Sequence, residues 1–179
     1  MNWGGHGHRL NKGIPSLRRQ ELLRLFQKCA GRAKRYGLHV VHYALESNHI
    51  HLIVEARDNR ALRSGMVSLF GSFARALNER VQRVGKVYSD RYHLNVITNP
   101  SQMKHTLRYV LLNHCKHTKW LEHMDPFSSA RFFPHWKNLI ELNEVVAWDL
   151  RNLSENYASA GLSPPRSWLA AQGWMRARS

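Results

Sequence analysis

The sequence predicts an α+β fold: a ferredoxin-like antiparallel sheet with helices, followed by a mostly helical or irregular C-terminal extension. The first observation behind this prediction is the order of elements, which reads helix, strand, strand, helix, strand, helix. The second is the tight turn at Ser47 and Asn48, because two strands joined by such a turn must be antiparallel. Helices interleaved around an antiparallel hairpin are typical of a ferredoxin-like sandwich.

Three helices follow from apolar stripes with a 3.6-residue period, over residues 15–36, 59–85 and 100–117. Gly37 suits the left-handed position that ends the first helix. Asp58 or Asn59 can cap the second helix. Asn99 is a candidate N-cap for the third, with Pro100 at the first helical position.

Three strands are predicted from β-branched and aromatic residues, over residues 38–46, 49–55 and 86–97. In the second strand a period of two separates the faces: Ile50, Leu52 and Val54 on one, His49, His51 and Ile53 on the other. Residues 1–13 are rich in Gly and His and lack alternation, so they predict at most a degenerate first strand.

The character of the chain changes near Asp125. Residues 125–136 look like a loop, 139–152 like a helix and 153–166 like a linker, before a short apolar segment with Trp168 and Trp174. We therefore predict one domain over residues 1–120 and an extension, residues 121–179, packed on it.

Charge is the strongest signal in the composition. The chain has 27 Lys and Arg against 12 Asp and Glu, a net charge of +15. Such an excess indicates a polyanionic partner, nucleic acid before an anionic membrane, and the interleaving of basic residues with aromatics favours nucleic acid over a merely solvated basic surface. No apolar run approaches the roughly 20 residues of a membrane span, and no secretory signal is visible, so we expect a cytoplasmic, nucleoid-associated protein.

Two histidines on one predicted strand form half of a candidate metal site. The period of two places His49 and His51 on the same face, while Ile50 points to the core. Imidazole is a common ligand of divalent metals. The spacing is weak on its own, since His6 and His8 repeat it in a Gly-rich segment without strand character. The two cysteines form no CxxC pair, which argues against a cysteine zinc site.

A tyrosine and an amide lie one turn apart on the third predicted helix. Tyr109 and Asn113 are at i and i+4, on the polar side of that helix. The pair can place a hydroxyl nucleophile beside a metal-binding oxygen; the alternative is a half-buried tyrosine with its hydroxyl at the surface. A phenol with a pKa near 10 needs a metal or a base nearby to act as a nucleophile.

With these motifs in place, the chain resembles IS200-like single-tyrosine transposases, and more specifically REP-associated tyrosine transposases of the HUH class, named for His-hydrophobe-His. The stretches that carry the resemblance are SNHIHLIVEA (47–56), GKVYSDRYH (85–93) and LRYVLLNH (107–114), with looser likeness over 14–130 and at DPFSSA and PPRSWL.

The resemblance implies an HUH endonuclease fold and a set of roles. His49, His51 and Asn113 would ligate Mg²⁺ or Mn²⁺, and Tyr109 would attack a DNA phosphate to give a 5′-phosphotyrosine and a free 3′-hydroxyl. A later attack by a 3′-hydroxyl would reverse the link and rejoin strands. The expected partner is single-stranded, hairpin-containing DNA. Related enzymes work as monomers or as homodimers, and the sequence leaves both assemblies open.

Five basic residues are candidate DNA contacts. Arg91 and His93 would share a strand face. Three cations lie on the predicted helix that carries Tyr109: Lys104, Arg108 and Lys116. The alternatives are solvated charges and a structural pair between Asp90 and Arg91. Glu46, beside the hairpin turn, is a lesser candidate for a further metal or base residue.

Two other functions remain open at this stage. One is a catalytically inactive, domesticated descendant that only binds hairpin DNA. The other is an RNA-binding ferredoxin-like module, which would leave the histidine pair unexplained.

Overall fold

A computed structural model of the chain describes residues 1–118, 124–140 and 153–177; the side chains of residues 2–3, 5–8 and 115–118 lie outside this description. The four strands are β1 Asn2–Arg9, β2 Leu38–Leu45, β3 His49–Ala56 and β4 Asn95–Ile97. They form one sheet in the order β2-β3-β1-β4, and every neighbouring pair is antiparallel. Helices follow β1 and β3, which confirms the predicted ferredoxin-like α+β fold.

The helices are α1 Gln20–Ala33, α2 Asn59–Arg80, α3 Pro100–Thr118, α4 Trp136–Leu139 and α5 Trp168–Ala171. Predicted caps are present: Asp58 Oδ1 accepts from Ala61 N at 2.7 Å, and Gly37 adopts a left-handed φ of 80°. α1 begins later than predicted because Leu17 N donates to Ser47 O instead of joining the helix. α2 ends before residue 85 because Gln82 turns to a φ of 50°.

The sheet separates two apolar cores. α1 and α2 cover one face, where Ile50, Leu52 and Val54 are buried. α3 covers the other face, where Ile53 packs with Leu107. The alternation predicted for β3 is therefore confirmed, and it directs His49 and His51 toward α3.

The expectation of a degenerate first strand was wrong. β1 is an eight-residue strand between β3 and β4. A Cβ at Gly4 would lie 2.5 Å from Thr106 Cγ2 and 2.7 Å from Ile97 Cδ1, so α3 approaches the strand where glycine leaves room. Glycine at such a contact removes the apolar alternation by which sequence analysis recognises strands.

The strand predicted over 86–97 was too long. Only Asn95–Ile97 forms a strand, paired with β1. The preceding residues are tied to the end of β1 by separate contacts: Asn11 Nδ2 donates to Lys86 O at 2.7 Å, and Leu10 forms an isolated bridge with Tyr88. Single contacts of this kind hold a loop in place without extending the ladder.

The described parts of the extension pack on both cores. Phe133, Trp136 and Trp174 join the core under α3, and Leu162 joins the other. The domain boundary that we predicted after residue 120 lies outside the described residues, so the domain division stays a prediction. Most of the helix predicted over 139–152, from residue 141 onward, also lies outside them. Among helices of the described segments, none has the length and apolar character needed to cross a bilayer.

Candidate active site

The start of β3 and the middle of α3 enclose an open cleft of about 490 Å³. Its lining includes all four residues predicted to hold a metal or act as nucleophile: His49, His51, Tyr109 and Asn113. Sequence reasoning placed two of them on a strand and two on a helix, and the fold brings the two pairs together.

The two imidazoles lie parallel, as alternate residues on one strand should. Their ring centroids are 6.2 Å apart and their planes differ by 4°. His51 is buried, with 4% of its surface exposed, whereas His49 is half-buried at the cleft mouth. Asn48 Oδ1 lies 2.6 Å from His49 Nδ1, and such a bond fixes the orientation of a ligating imidazole.

Tyr109 packs against the buried histidine. The phenol meets the imidazole of His51 edge-on, with centroids 5.1 Å apart and planes at 83°. Burial raises the pKa of Tyr109, and the Glu46 carboxylate raises it further. A phenol in this position stays protonated at neutral pH unless positive charge comes close to it.

Asn113 is held by a residue that sequence reasoning treated as minor. Asn113 is buried, and its Nδ2 donates to Glu46 Oε1 at 3.1 Å. With the amide nitrogen bound in this way, the amide oxygen is the ligand atom that Asn113 can offer to a metal. Glu46 thus orients Asn113 from beside the hairpin turn, as partners of metal ligands do.

A second cluster of metal-binding side chains adjoins the cleft. Ligand atoms of Glu46, His114 and Asp125 lie within 4.8 Å of one another. Asp125 is already paired with a cation, since its two oxygens accept from the Arg18 guanidinium at 2.7 and 3.0 Å. The cluster therefore places negative charge beside the cleft, and the Arg18 guanidinium partly neutralises that charge.

Arg18, His114 and Asp125 were missed as site residues. Arg18 and Asp125 are 107 residues apart in the chain, so no local spacing predicts their contact. A usable signal was the DPFSSA stretch, which opens with this aspartate.

The predicted DNA contacts do not gather at the cleft. Arg91 and His93 are exposed in the loop before β4, so the prediction that they share a strand face was wrong. Arg108 donates from Nη1 to Leu139 O at 2.7 Å and ties α3 to the extension. Lys104 is half-buried on α3, and the side chain of Lys116 lies outside the described residues.

Tyr109 also lines a second cleft, between β4 and α3. Its walls include Asn95, Asn99, His105 and Arg108. Tyr109 thus lines both clefts, and the second of them offers it several hydrogen-bonding neighbours from β4 and α3.

The donors in the first cleft fit a divalent metal. Two imidazole nitrogens and an amide oxygen, with a carboxylate behind them, suit Mn²⁺ or Mg²⁺ better than a soft metal that prefers thiolate. Donors from β3 and α3 are held by packing on both elements, which favours a preformed set of ligands.

A family model of IS200-like transposases matches residues 14–113. This stretch is more than half of the 179 residues, and it contains the histidine pair, Tyr109 and Asn113. The chain belongs to the IS200-like transposase family.

This IS200-like transposase is also similar to a solved structure of a REP-associated tyrosine transposase bound to a REP hairpin. The TM-score is 0.57 at 15% identity, over 83% of this chain and 82% of that chain. At this identity the likeness shows a shared fold. Comparison with curated proteins gave no match.

Proposed function

We propose that this IS200-like transposase is an active, metal-dependent nuclease and strand transferase that cuts and rejoins single-stranded DNA bearing a hairpin. The observation that carries the proposal is the contact between Tyr109 and the buried His51 in a cleft that also contains His49 and Asn113. A merely structural tyrosine would not require two parallel imidazoles and an oriented amide around it.

His49, His51 and Asn113 would hold Mg²⁺ or Mn²⁺. When bound, the cation supplies positive charge that polarises the scissile phosphate. The side chains do the rest: Glu46 orients Asn113, and Asn48 orients His49. The raised pKa of Tyr109 explains why this site would need a cation at all.

The reaction is a transesterification at phosphorus. The Tyr109 oxygen bonds to the phosphorus and loses its proton, while the bond from phosphorus to the 3′-oxygen breaks and that oxygen takes up a proton. The DNA is then joined to the protein through its 5′-phosphate. A 3′-hydroxyl that attacks this phosphotyrosine rejoins a strand and restores the phenol without a high-energy cofactor.

The hairpin preference is supported by the solved relative, which is bound to a REP hairpin. The cleft along β4 that ends at Tyr109 offers a path for an unpaired strand. DNA as substrate implies work at the nucleoid in the cytoplasm. A homodimer stays a prediction, to be checked by the molar mass of the protein in solution.

The test is a covalent adduct. A hairpin oligonucleotide labelled at its 3′ end is incubated with protein and Mg²⁺ or Mn²⁺, and the label is followed on a denaturing gel. We expect an adduct with the unsubstituted protein and none with Tyr109→Phe. Tyr157→Phe is the matched control, because Tyr157 is also half-buried beside a carboxylate, Glu155.

Two outcomes would replace the proposal. Tight hairpin binding with no adduct under either metal would indicate the inactive DNA-binding protein. A clear preference for RNA of the same sequence would indicate the RNA-binding module.

A further inference from the structure

Two adjoining grooves are rich in arginine, and the first of them lies at the end of β3 that is opposite His49. The first is lined by five cationic side chains: Lys34, Arg35, Arg57, Arg60 and Arg166. The second lies between α1 and α2 and is lined by Arg32, Arg35 and Arg75 with several serines. Arg35, Tyr36 and Ser64 belong to both grooves, so they form one continuous surface, which we call the arginine surface.

The positive charge of the arginine surface is poorly compensated. Among the residues that line the two grooves, Glu55 in the first groove is the acidic one. Its carboxylate accepts hydrogen bonds from Ser167 and from the Arg166 backbone. Within the described segments, Arg35, Arg60 and Arg75 are exposed and form no ion pair. Exposed guanidinium groups without acidic partners indicate an anion that comes from outside the chain.

The charge of these cations contributes to the pKa of the neighbouring His39. Burial lowers the pKa of His39, and the charges of Arg166 and Lys34 lower it further against an opposing effect of Glu55. The groove thus disfavours an added positive charge even with Glu55 in its wall.

The kinds of side chain indicate a sugar-phosphate backbone in duplex form. Surfaces that hold unpaired strands interleave cations with several aromatic rings on which bases stack. Here Tyr36 is the aromatic residue in the lining, while arginines and the hydroxyls of Ser64, Ser68 and Ser72 dominate. Arginine and serine are common partners of phosphate oxygens, and phosphate contacts position a duplex without reading its sequence.

We propose that the arginine surface binds the phosphate backbone of the double-stranded stem of a hairpin DNA. The identity of the hairpin as a substrate rests on the proposed function; the surface itself does not. From His49 to Glu55 along β3 is about 20 Å at about 3.3 Å per residue. A stem of about six base pairs has about that length.

The experiment measures hairpin affinity as a function of salt by fluorescence anisotropy, with metal omitted. The variant is Arg35→Gln/Arg75→Gln in the full chain. The control is Arg131→Gln/Lys137→Gln, which removes the same charge from exposed residues of the extension. At about 0.1 M salt we expect the variant to bind about tenfold more weakly, and its log–log salt slope to fall by about 2, as for two lost phosphate contacts. Equal losses in the control would overturn the proposal.

A second arm separates this proposal from the proposed function. Adduct formation on a short single strand without a stem should be unchanged in Arg35→Gln/Arg75→Gln. If the unsubstituted protein forms no adduct on the hairpin oligonucleotide either, but the variant still loses hairpin affinity, the enzymatic proposal fails and the arginine surface stands. Equal weakening for a stemless strand would overturn the assignment to a duplex, and tighter binding of an RNA hairpin through the same residues would overturn the assignment to DNA.

Discussion

The phenol of Tyr109 stands edge-on against the imidazole of His51, with centroids 5.1 Å apart. His51 is therefore a candidate metal ligand, and it also packs against α3, the helix that carries Tyr109. His49, at the mouth of the same cleft, is half-buried and stacks parallel to His51. The two histidines should respond differently to substitution.

We expect His49→Ala and His51→Ala both to lose Mn²⁺ affinity by tenfold or more, as measured by titration calorimetry. Only His51→Ala should also lower the free energy of unfolding substantially, by about 2–3 kcal/mol, because it leaves a cavity beneath Tyr109. Urea unfolding without metal measures this difference. Unchanged Mn²⁺ affinity in either variant would remove that histidine from the metal site.

Glu46 is a positioning residue through its bond to Asn113. Glu46→Gln keeps an oxygen that can accept from Asn113 Nδ2, whereas Glu46→Ala removes it. We expect a loss of Mn²⁺ affinity of about tenfold in Glu46→Ala and a smaller loss in Glu46→Gln. Adduct rates at saturating metal should follow the same order. Equal effects of the two substitutions would mean that the charge of Glu46 matters and its hydrogen bond to Asn113 does not.

Gly4 sets how closely α3 lies on the sheet. A Cβ there would lie 2.5 Å from Thr106 Cγ2, so Gly4→Ala should destabilise the protein by about 1–3 kcal/mol through overpacking. Thr106→Ser removes that methyl group and retains the hydroxyl that donates to Gln102 O. The double variant should recover part of the lost stability in urea unfolding. Simple addition of the two single effects would contradict a direct contact.

His42 should make stability depend on pH. Burial lowers the pKa of His42 from 6.5 to about 3, and its Nδ1 lies 3.1 Å from Ser129 Oγ. Between these two pKa values the unfolded chain binds a proton that the folded chain does not, so stability is full above pH 6.5 and is lost as pH falls below it.

From pH 7.5 to 5.0 this group should cost about 2 kcal/mol. His42→Asn retains a hydrogen-bonding group and cannot titrate, so its stability should fall by about that much less over the same range. Urea unfolding of both proteins at the two pH values gives the difference. Parallel pH profiles would show that folding does not lower the pKa of His42.

The features that local sequence could predict were those set by neighbours along the chain. The period of two put His49 and His51 on one face, the helix period put Tyr109 and Asn113 one turn apart, and Asp58 was recognised as a cap. Their meeting in one cleft depends on the packing of α3 on the face of β3 that carries the histidines, which the local patterns did not specify.

What local sequence could not predict depends on distant contacts. β1 was expected to be degenerate at most, because the glycine at position 4 is required by a contact with Thr106, about a hundred positions away, and not by its neighbours in the sequence. The loop before β4 has the composition of a strand. It is connected to the end of β1 by isolated contacts and not by a continuous ladder of hydrogen bonds. Asp125 meets Arg18 by a bond that only the folded extension creates.

The position of β1 has a consequence for any shortened form of this protein. The family model begins at residue 14, yet β1 supplies the only described link between β3 and β4, with Glu55 and Ile97 paired to the same residue, Asn2. A fragment trimmed to 14–113 would carry every proposed ligand and the nucleophile, but it would lack the strand that lies between β3 and β4. The segment that the family model matches is therefore shorter than the smallest fragment that we expect to fold.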